Sequence, residues 1–342
     1  MPLLITLLVI GTIAQRYMGL YDAQKMFFSS FIIWAGPIPF PGGYSLISII
    51  TAGLLSKFIF KSKWTWKKVG INLSHLGVLI ILLGGLLTAI YSEEGYIVIP
   101  EGEESRFVSD FHQRSLLVIK DENVIAHIPH QKLFEDNKIE IANIPFTISV
   151  QNACRNCKII KREDSKVEIK GELSGMAQFM ALTPDKLKAE EETNLYGATL
   201  NINDETHIVF EAMPKPAEIN INDNIYQLMF GKQQRTLPFA LHLKDFQKTK
   251  HPGTMTASAY QSDILLIDGE LSWPVRIEMN KPLRYKGYTF FQSSFAEGDH
   301  GQATVLSVVK NKGWLFPYFG TALIAFGLLL HTLIQSRRSK TI

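Results

Sequence analysis

His75 stands inside Val69–Tyr91 (VGINLSHLGVLIILLGGLLTAIY), a run with no Lys, Arg, Asp or Glu. His331 stands inside Trp314–Ser336 (WLFPYFGTALIAFGLLLHTLIQS), where Tyr318 is the one other ionisable side chain. An ionisable group in an apolar span is costly unless it has a partner, so it marks a functional position. Neutral imidazole is the commonest side-chain metal ligand, and each ring could offer one nitrogen. Plainer readings stand beside this one. His75 could bond a polar group on a neighbouring helix for about 1 kcal/mol, and His331 could snorkel toward headgroups. His75 lies about 9 Å inside the start of its run and His331 about 8 Å from the end of its own, at 1.5 Å per residue. The two imidazoles therefore sit at a similar depth. Gly84 and Gly85 follow His75 on the same helix, where small residues admit a close partner helix or a flat ligand.

Cys154 and Cys157 form the second candidate, in the motif Cys-Arg-Asn-Cys. In an oxidising compartment this spacing suits a structural disulfide or a thiol redox pair. A redox pair normally opens a helix, whose N-terminus lowers the thiol pKa; here a turn between β-rich runs is expected. Two thiolates alone do not complete a zinc site. His112, His127, His130, His207, His242, His251 and His300 are scattered through polar sequence. His127 and His130 are close enough to share a metal, but Pro129 intervenes and no third ligand is evident. No nucleotide loop, G-x-S-x-G, H-E-x-x-H or Cys-x-x-Cys-His occurs.

The elements that must carry these residues follow from hydropathy. The 342-residue chain has a mean hydropathy of +0.07, which averages about four apolar runs and one long polar stretch. The expected organisation is a first transmembrane helix over 1–17, an external loop over 18–43, a second span over 44–60, a cytoplasmic loop over 61–68, the third span over 69–91, an extracytoplasmic β domain over 92–313, a fourth span over 314–336 and a tail over 337–342. The first run lacks the leading charges and cleavage site of a signal peptide and reads as a true span. Lys61, Lys63, Lys67 and Lys68 in one connection, and Arg337, Arg338 and Lys340 in the tail, place both on the cytoplasmic side. The large domain then lies outside the inner (cytoplasmic) membrane. The net charge of +3 comes partly from these anchors, so nucleic-acid binding is not indicated. Within the external loop, Met26–Gly36 carries Phe27, Phe28, Phe31 and Trp34, which predicts an interfacial helix ended by Pro37, Pro39 and Pro41.

Between Ser92 and Gly313 the sequence reads as more than ten short strands, from Gly95–Pro100 through Lys166–Ile169 and Asp263–Ile267 to Ala303–Val309, with turn signals at Asp268-Gly269 and Lys286-Gly287. This pattern predicts an all-β sandwich or irregular barrel, in one or two subdomains. The stretch 183–195 (TPDKLKAEEETNL) reads as a helix or an insertion.

Three stretches resemble the ResB/CcsB proteins of System II cytochrome c biogenesis: Gly11–Ser30, Gly70–Gly85 with its single histidine, and Phe239–Phe295. In the last, Tyr260, Ser262, Asn280, Pro282, Leu283, Gly287, Tyr288, Gln292 and Ser293 fall on that family's spaced pattern. The resemblance implies a subunit that binds haem b within the membrane and helps deliver it to the Cys-x-x-Cys-His motif of an apocytochrome c. It implies a CcsA/ResC-type integral membrane partner, which carries the tryptophan-rich haem-handling loop absent here. It makes His75 an axial haem ligand opposite a histidine of the partner. Other readings remain beside it: a scaffold that stabilises the partner or docks apocytochrome c, and a membrane-tethered thiol oxidoreductase using Cys154 and Cys157. A thioredoxin-like reductant would serve the substrate thiols.

Overall fold

The computed structural model describes residues 2–339 except 122, 136–137, 142–143, 166, 168, 214, 252, 255–256 and 299–300. His300, Lys340, Lys166 and Glu168 therefore lie outside the described residues; Val167 and Ile169 belong to no strand. Of the tail 337–342, the helical backbone to 339 is described.

Apolar runs give the long helices, and charged residues or, after α1, Gly19 at φ +82° end them. The helices described are α1 (Pro2–Met18), α2 (Leu20–Ala23), α3 (Gly43–Ser56), α4 (Val69–Tyr91), α5 (Lys132–Glu135) and α6 (Phe316–Ser339). A π-helical turn over Lys57–Lys61 extends α3, and a 3-10 turn over Trp66–Lys68 precedes α4. Among the described residues, three helices are long and apolar enough to cross a membrane: Gly43–Lys61, Trp66–Tyr91 and Phe316–Ser336. The first expected span, α1, is a shorter apolar helix of 17 residues, roughly 26 Å at helical rise against a core of about 30 Å.

The chain forms two compact units. The first comprises residues 1–14, 23–106 and 237–342. Here the expected interfacial helix gives way to a short helical stretch, ending in a π turn over Gln24–Phe28, and an antiparallel hairpin of β1 (Ile32–Ala35) and β2 (Ile38–Pro41). The physical reason lies in the sequence that follows Ser30. Ile32 and Ile33 are β-branched, Gly36 adopts φ +61° in the turn, and Pro37, Pro39 and Pro41 cannot sit inside a helix. The hairpin packs through Ile33 into one cluster with Leu7 of α1 and Leu46 of α3. Beyond α4 the chain enters the strand Glu93–Pro100, and the strand Gly301–Lys310 leads into α6; these two strands pair along their length, Glu93 opposite Lys310 and Pro100 opposite Ala303. The same sheet carries Tyr288–Gly298, Leu283–Tyr285, Ala257–Asp268 and Leu271–Glu278. Its core includes Ile97, Ile99, Leu241, Leu243, Ile264, Leu266, Ile277, Phe290 and Leu306, in the alternation expected of strands with one buried face.

The second unit comprises residues 15–22 and 107–236. A five-stranded sheet runs in the order Lys138–Ile139, Ile148–Cys154, Gly197–Ile202, Glu205–Phe210, Glu172–Leu173, beside a two-stranded pairing of Cys157–Lys161 with Met180–Pro184. Two-residue turns at Asn203-Asp204 and Asn222-Asp223, all at positive φ, are the geometry that matches strand twist in tight hairpins. Leu116, Ile128, Ile148, Leu200, Val209, Leu228 and Phe230 share one core. The stretch 183–195 forms the end of a strand and a 3-10 turn at Glu191–Thr193 rather than an α-helix.

Candidate functional site

The site begins with the helix that carries His75. Along α4, Gly70, Gly77 and Gly84 recur every seven residues; Gly313, in the turn before α6, and Gly320 and Gly327 on it do the same. The two sets meet in antiparallel order. A Cβ on Gly70 would stand 2.6 Å from the Gly327 carbonyl oxygen, one on Gly77 2.6 Å from that of Gly320, and one on Gly313 2.6 Å from that of Gly84. A seven-residue repeat keeps one seam facing its partner, and glycine lets backbones approach this closely. Polar groups on the seam bond across it: the Ser74 hydroxyl donates to the Ile324 carbonyl at 3.3 Å, and Thr88 to Asn311 Oδ1 at 3.0 Å.

This seam fixes the rotation of α4. At 100° per residue, His75 lies about 140° round the helix from Gly70, on the side away from α6. It shares that side with Ile71, Leu79, Leu82 and Leu86 by the same spacing. His75 is half-buried, and its ring makes no hydrogen bond to any described residue. His331 lies on the seam itself, its backbone against Gly70. Its Nδ1 is buried without a partner, and its Nε2 is 3.3 Å from Gln335 Nε2. The structure thus places the two imidazoles on different faces of the helix pair, both half-buried.

Cys154 and Cys157 are joined by a disulfide across the turn between the strands Ile148–Cys154 and Cys157–Lys161. Both are buried, at 6% and 4% exposure. The residues between them are anchors: Arg155 donates to Asp22 and to the Tyr196 hydroxyl, and Asn156 donates to the Lys186 carbonyl at 2.6 Å. His127 is exposed on its strand, while His130 is half-buried with Nδ1 3.1 Å from the Arg114 carbonyl oxygen, so the pair shares no ligand position.

A buried charge network was not foreseen. Arg114, 1% exposed, donates to Glu191 Oε1 at 3.0 Å and to Glu211 Oε2 at 2.8 Å. Tyr196 donates to Glu191 Oε1 at 2.7 Å, His112 Nδ1 lies 3.0 Å from Glu191 Oε2, and Tyr21 stacks on the His112 ring at 3.8 Å. Burial pushes the Glu191 carboxyl up, but hydrogen bonds from His112 and Tyr196 and the charge of Arg114 outweigh it and hold the group at about 2. Ligand atoms of His112, Glu191 and Glu192 converge within 4.8 Å, although Glu191 is already occupied by three protein donors. Acidic residues 77 and 97 positions from Arg114 leave no periodic trace in sequence. The one available signal was an Arg amid the alternating residues of a strand.

The spaced signature of the sequence folds into structure rather than a reactive site. Ser262 donates to Gln292 Oε1 at 2.6 Å, Ser262 and Thr304 hydroxyls lie 2.8 Å apart, and Gln292 Nε2 bonds Thr304 at 3.0 Å. All three residues are buried. Lys286 and Gly287, at φ +45° and +82°, make the turn between Leu283–Tyr285 and Tyr288–Gly298. Arg284 stacks over Trp314 with its guanidinium carbon 4.3 Å from the ring centroid, tying this hairpin to the residues just before α6.

The architecture is that of a membrane-associated protein with three apolar helices, a large all-β portion, and a histidine on the open side of one helix. Residues 217–305, which contain the buried triad and the Lys286-Gly287 turn, match the ResB-like family model. The chain is 26% identical over 274 residues to Protein NrfI of Wolinella succinogenes, an alignment covering 79% of this chain and 28% of that protein. The chain thus spans well under a third of that relative's length.

Proposed function

We propose that this chain is the haem-handling subunit of a System II cytochrome c synthase, with His75 as the axial haem ligand it contributes. The ResB match and the relationship to NrfI support a role in cytochrome c biogenesis. The observation that carries the finer reading is the unpartnered His75 ring on the face of α4 turned away from α6. An imidazole in lipid without a partner is unfavourable, and iron bound through one ring nitrogen removes that cost while adding no charge on the side chain. The residues fit haem as cargo. Ile71, Leu79 and Leu82 flank His75 on its face with apolar side chains, and nothing stands within 4 Å of a Cβ built on Gly85. His331 fits less well, because it stands on the seam with α4, its backbone against Gly70. The opposite axial ligand therefore comes from a CcsA/ResC-type partner subunit. Haem supplies the vinyl groups that become thioethers on apocytochrome c. This chain's part is to hold the macrocycle at a fixed depth.

The sheet that continues α4 and α6 serves as the mount in this reading, placed outside the cytoplasmic membrane by the lysines and arginines of the connections. The Cys154–Cys157 pair, buried within a hairpin turn, supports a structural role over thiol exchange, which needs a reachable sulfur. The test is cellular. His75→Ala, expressed at wild-type level, should lower covalently haem-stained cytochrome c at least tenfold. Normal staining would favour the scaffold reading instead.

A further inference from the structure

We propose that the β1–β2 hairpin is a lipid-inserting wedge, seated in the acyl-chain boundary of the leaflet at which α3 begins. From Met26 to Ser56 there is no Asp, Glu, Lys, Arg or His. The hairpin exposes Phe31, Ile32, Trp34, Ile38 and Phe40, each at least half exposed. Ile33 alone of its strands is buried, in the cluster with Leu7 and Leu46.

Two observations select lipid as the occupant. The first is depth. The hairpin is bonded directly to the start of α3: Gly42 N–H donates to the Phe31 carbonyl, Tyr44 N–H to that of Ser30, and the Ser45 hydroxyl to Phe31. Leu7, with which Ile33 packs, is in the middle of α1's apolar run, and that run continues to Ala14, about 10 Å further at helical rise. The hairpin therefore stands alongside the lipid-facing part of α1, not beyond its end.

The second observation is the edge chemistry of β2. In the register, Ile33 faces Phe40 and Ala35 faces Ile38, while Pro39 faces Trp34 and Pro41 faces Ile32. Alternate residues of a strand point their N–H groups to opposite sides. The donors of Ile38 and Phe40 therefore serve the ladder, and the outward positions are both proline, with no N–H to offer. An edge without donors cannot pair with an added strand from a protein partner. On this edge proline also leaves no unsatisfied N–H group, the kind that makes an open edge costly in hydrocarbon. A ring of aromatic and branched side chains around such an edge suits the bilayer boundary.

The test uses the full chain in lipid nanodiscs whose acyl chains carry bromines near the headgroups. Subtracting the emission of Trp34→Phe from that of the wild type isolates Trp34, and Ile38→Trp in the Trp34→Phe background reports from the other strand. Both reporters should lose at least half their emission relative to unbrominated lipid and resist aqueous acrylamide. Equal emission in both lipids would overturn the proposal. So would bromine quenching that emerges only after copurifying proteins are removed, since that outcome assigns the hairpin to a protein partner.

Discussion

Gly77 and Gly320 meet backbone to backbone: a Cβ on Gly77 would lie 2.6 Å from the Gly320 carbonyl oxygen, and one on Gly320 2.8 Å from that of Gly77. The contact sits midway along a seam continued outward by the paired strands Glu93–Pro100 and Gly301–Lys310. Helix pair and strand pair thus form one antiparallel ribbon, which sets both the height of His75 relative to the sheet and the direction in which its ring points.

Gly77→Leu should force the helices apart, at an overpacking cost of about 1–3 kcal/mol. Gly85→Leu, on the same helix with nothing within 4 Å of its Cβ position, should stay within about 0.5 kcal/mol of wild type. Thermal unfolding of the two variants in detergent separates them. Equal midpoints would mean that the seam does not hold the helices together.

The sequence made α4 legible to the residue, Val69–Tyr91, because twenty-three uncharged residues between Lys68 and a strand leave no other element. Most strands were legible from alternation and turn residues. The hairpin at Ile32–Pro41 was not, since its aromatic content suits a helix and a strand equally and only the spacing of three prolines distinguishes them. The orientation of His75 was hidden as well. It depends on six glycines in two segments more than two hundred residues apart, and neither seven-residue repeat has meaning until the two helices are seen side by side.

Arg114→Met should destabilise the fold by roughly 3–5 kcal/mol at neutral pH, because it leaves Glu191 and Glu211 buried without their cation. The pH dependence has a definite sign. Glu191 is held at about 2 against an ordinary 4.5, so its contribution is present above 4.5 and lost as pH falls toward 2. Without Arg114 the buried carboxyl favours protonation, so acid relieves the variant. Denaturant unfolding should show the gap between wild type and variant narrowing from pH 7 to pH 3. A gap constant with pH would count against the network.

Gln292→Leu should cost about 1–3 kcal/mol, since it strands the Ser262 and Thr304 hydroxyls in the sheet interior. Adding Ser262→Ala and Thr304→Val should recover part of the loss by removing the orphaned groups. Thermal midpoints of the single and triple variants provide the comparison; no recovery would mean that the triad is not a closed unit.

The double variant Cys154→Ser, Cys157→Ser should lose about 2 kcal/mol from the short closed loop, read by denaturant unfolding. Its cytochrome c yield per folded molecule should equal wild type. A yield that collapses while the protein stays folded would restore thiol exchange as the function of the pair.

The most direct measurement of the central claim is the absorption spectrum of the chain purified with its membrane partner, as wild type and as His75→Gly. The wild-type complex should show the sharp bands of six-coordinate, low-spin b-type haem. His75→Gly should lose them, and millimolar imidazole should restore them by filling the vacated axial position. An unchanged low-spin spectrum in His75→Gly without imidazole would contradict the assignment of His75 as the haem ligand.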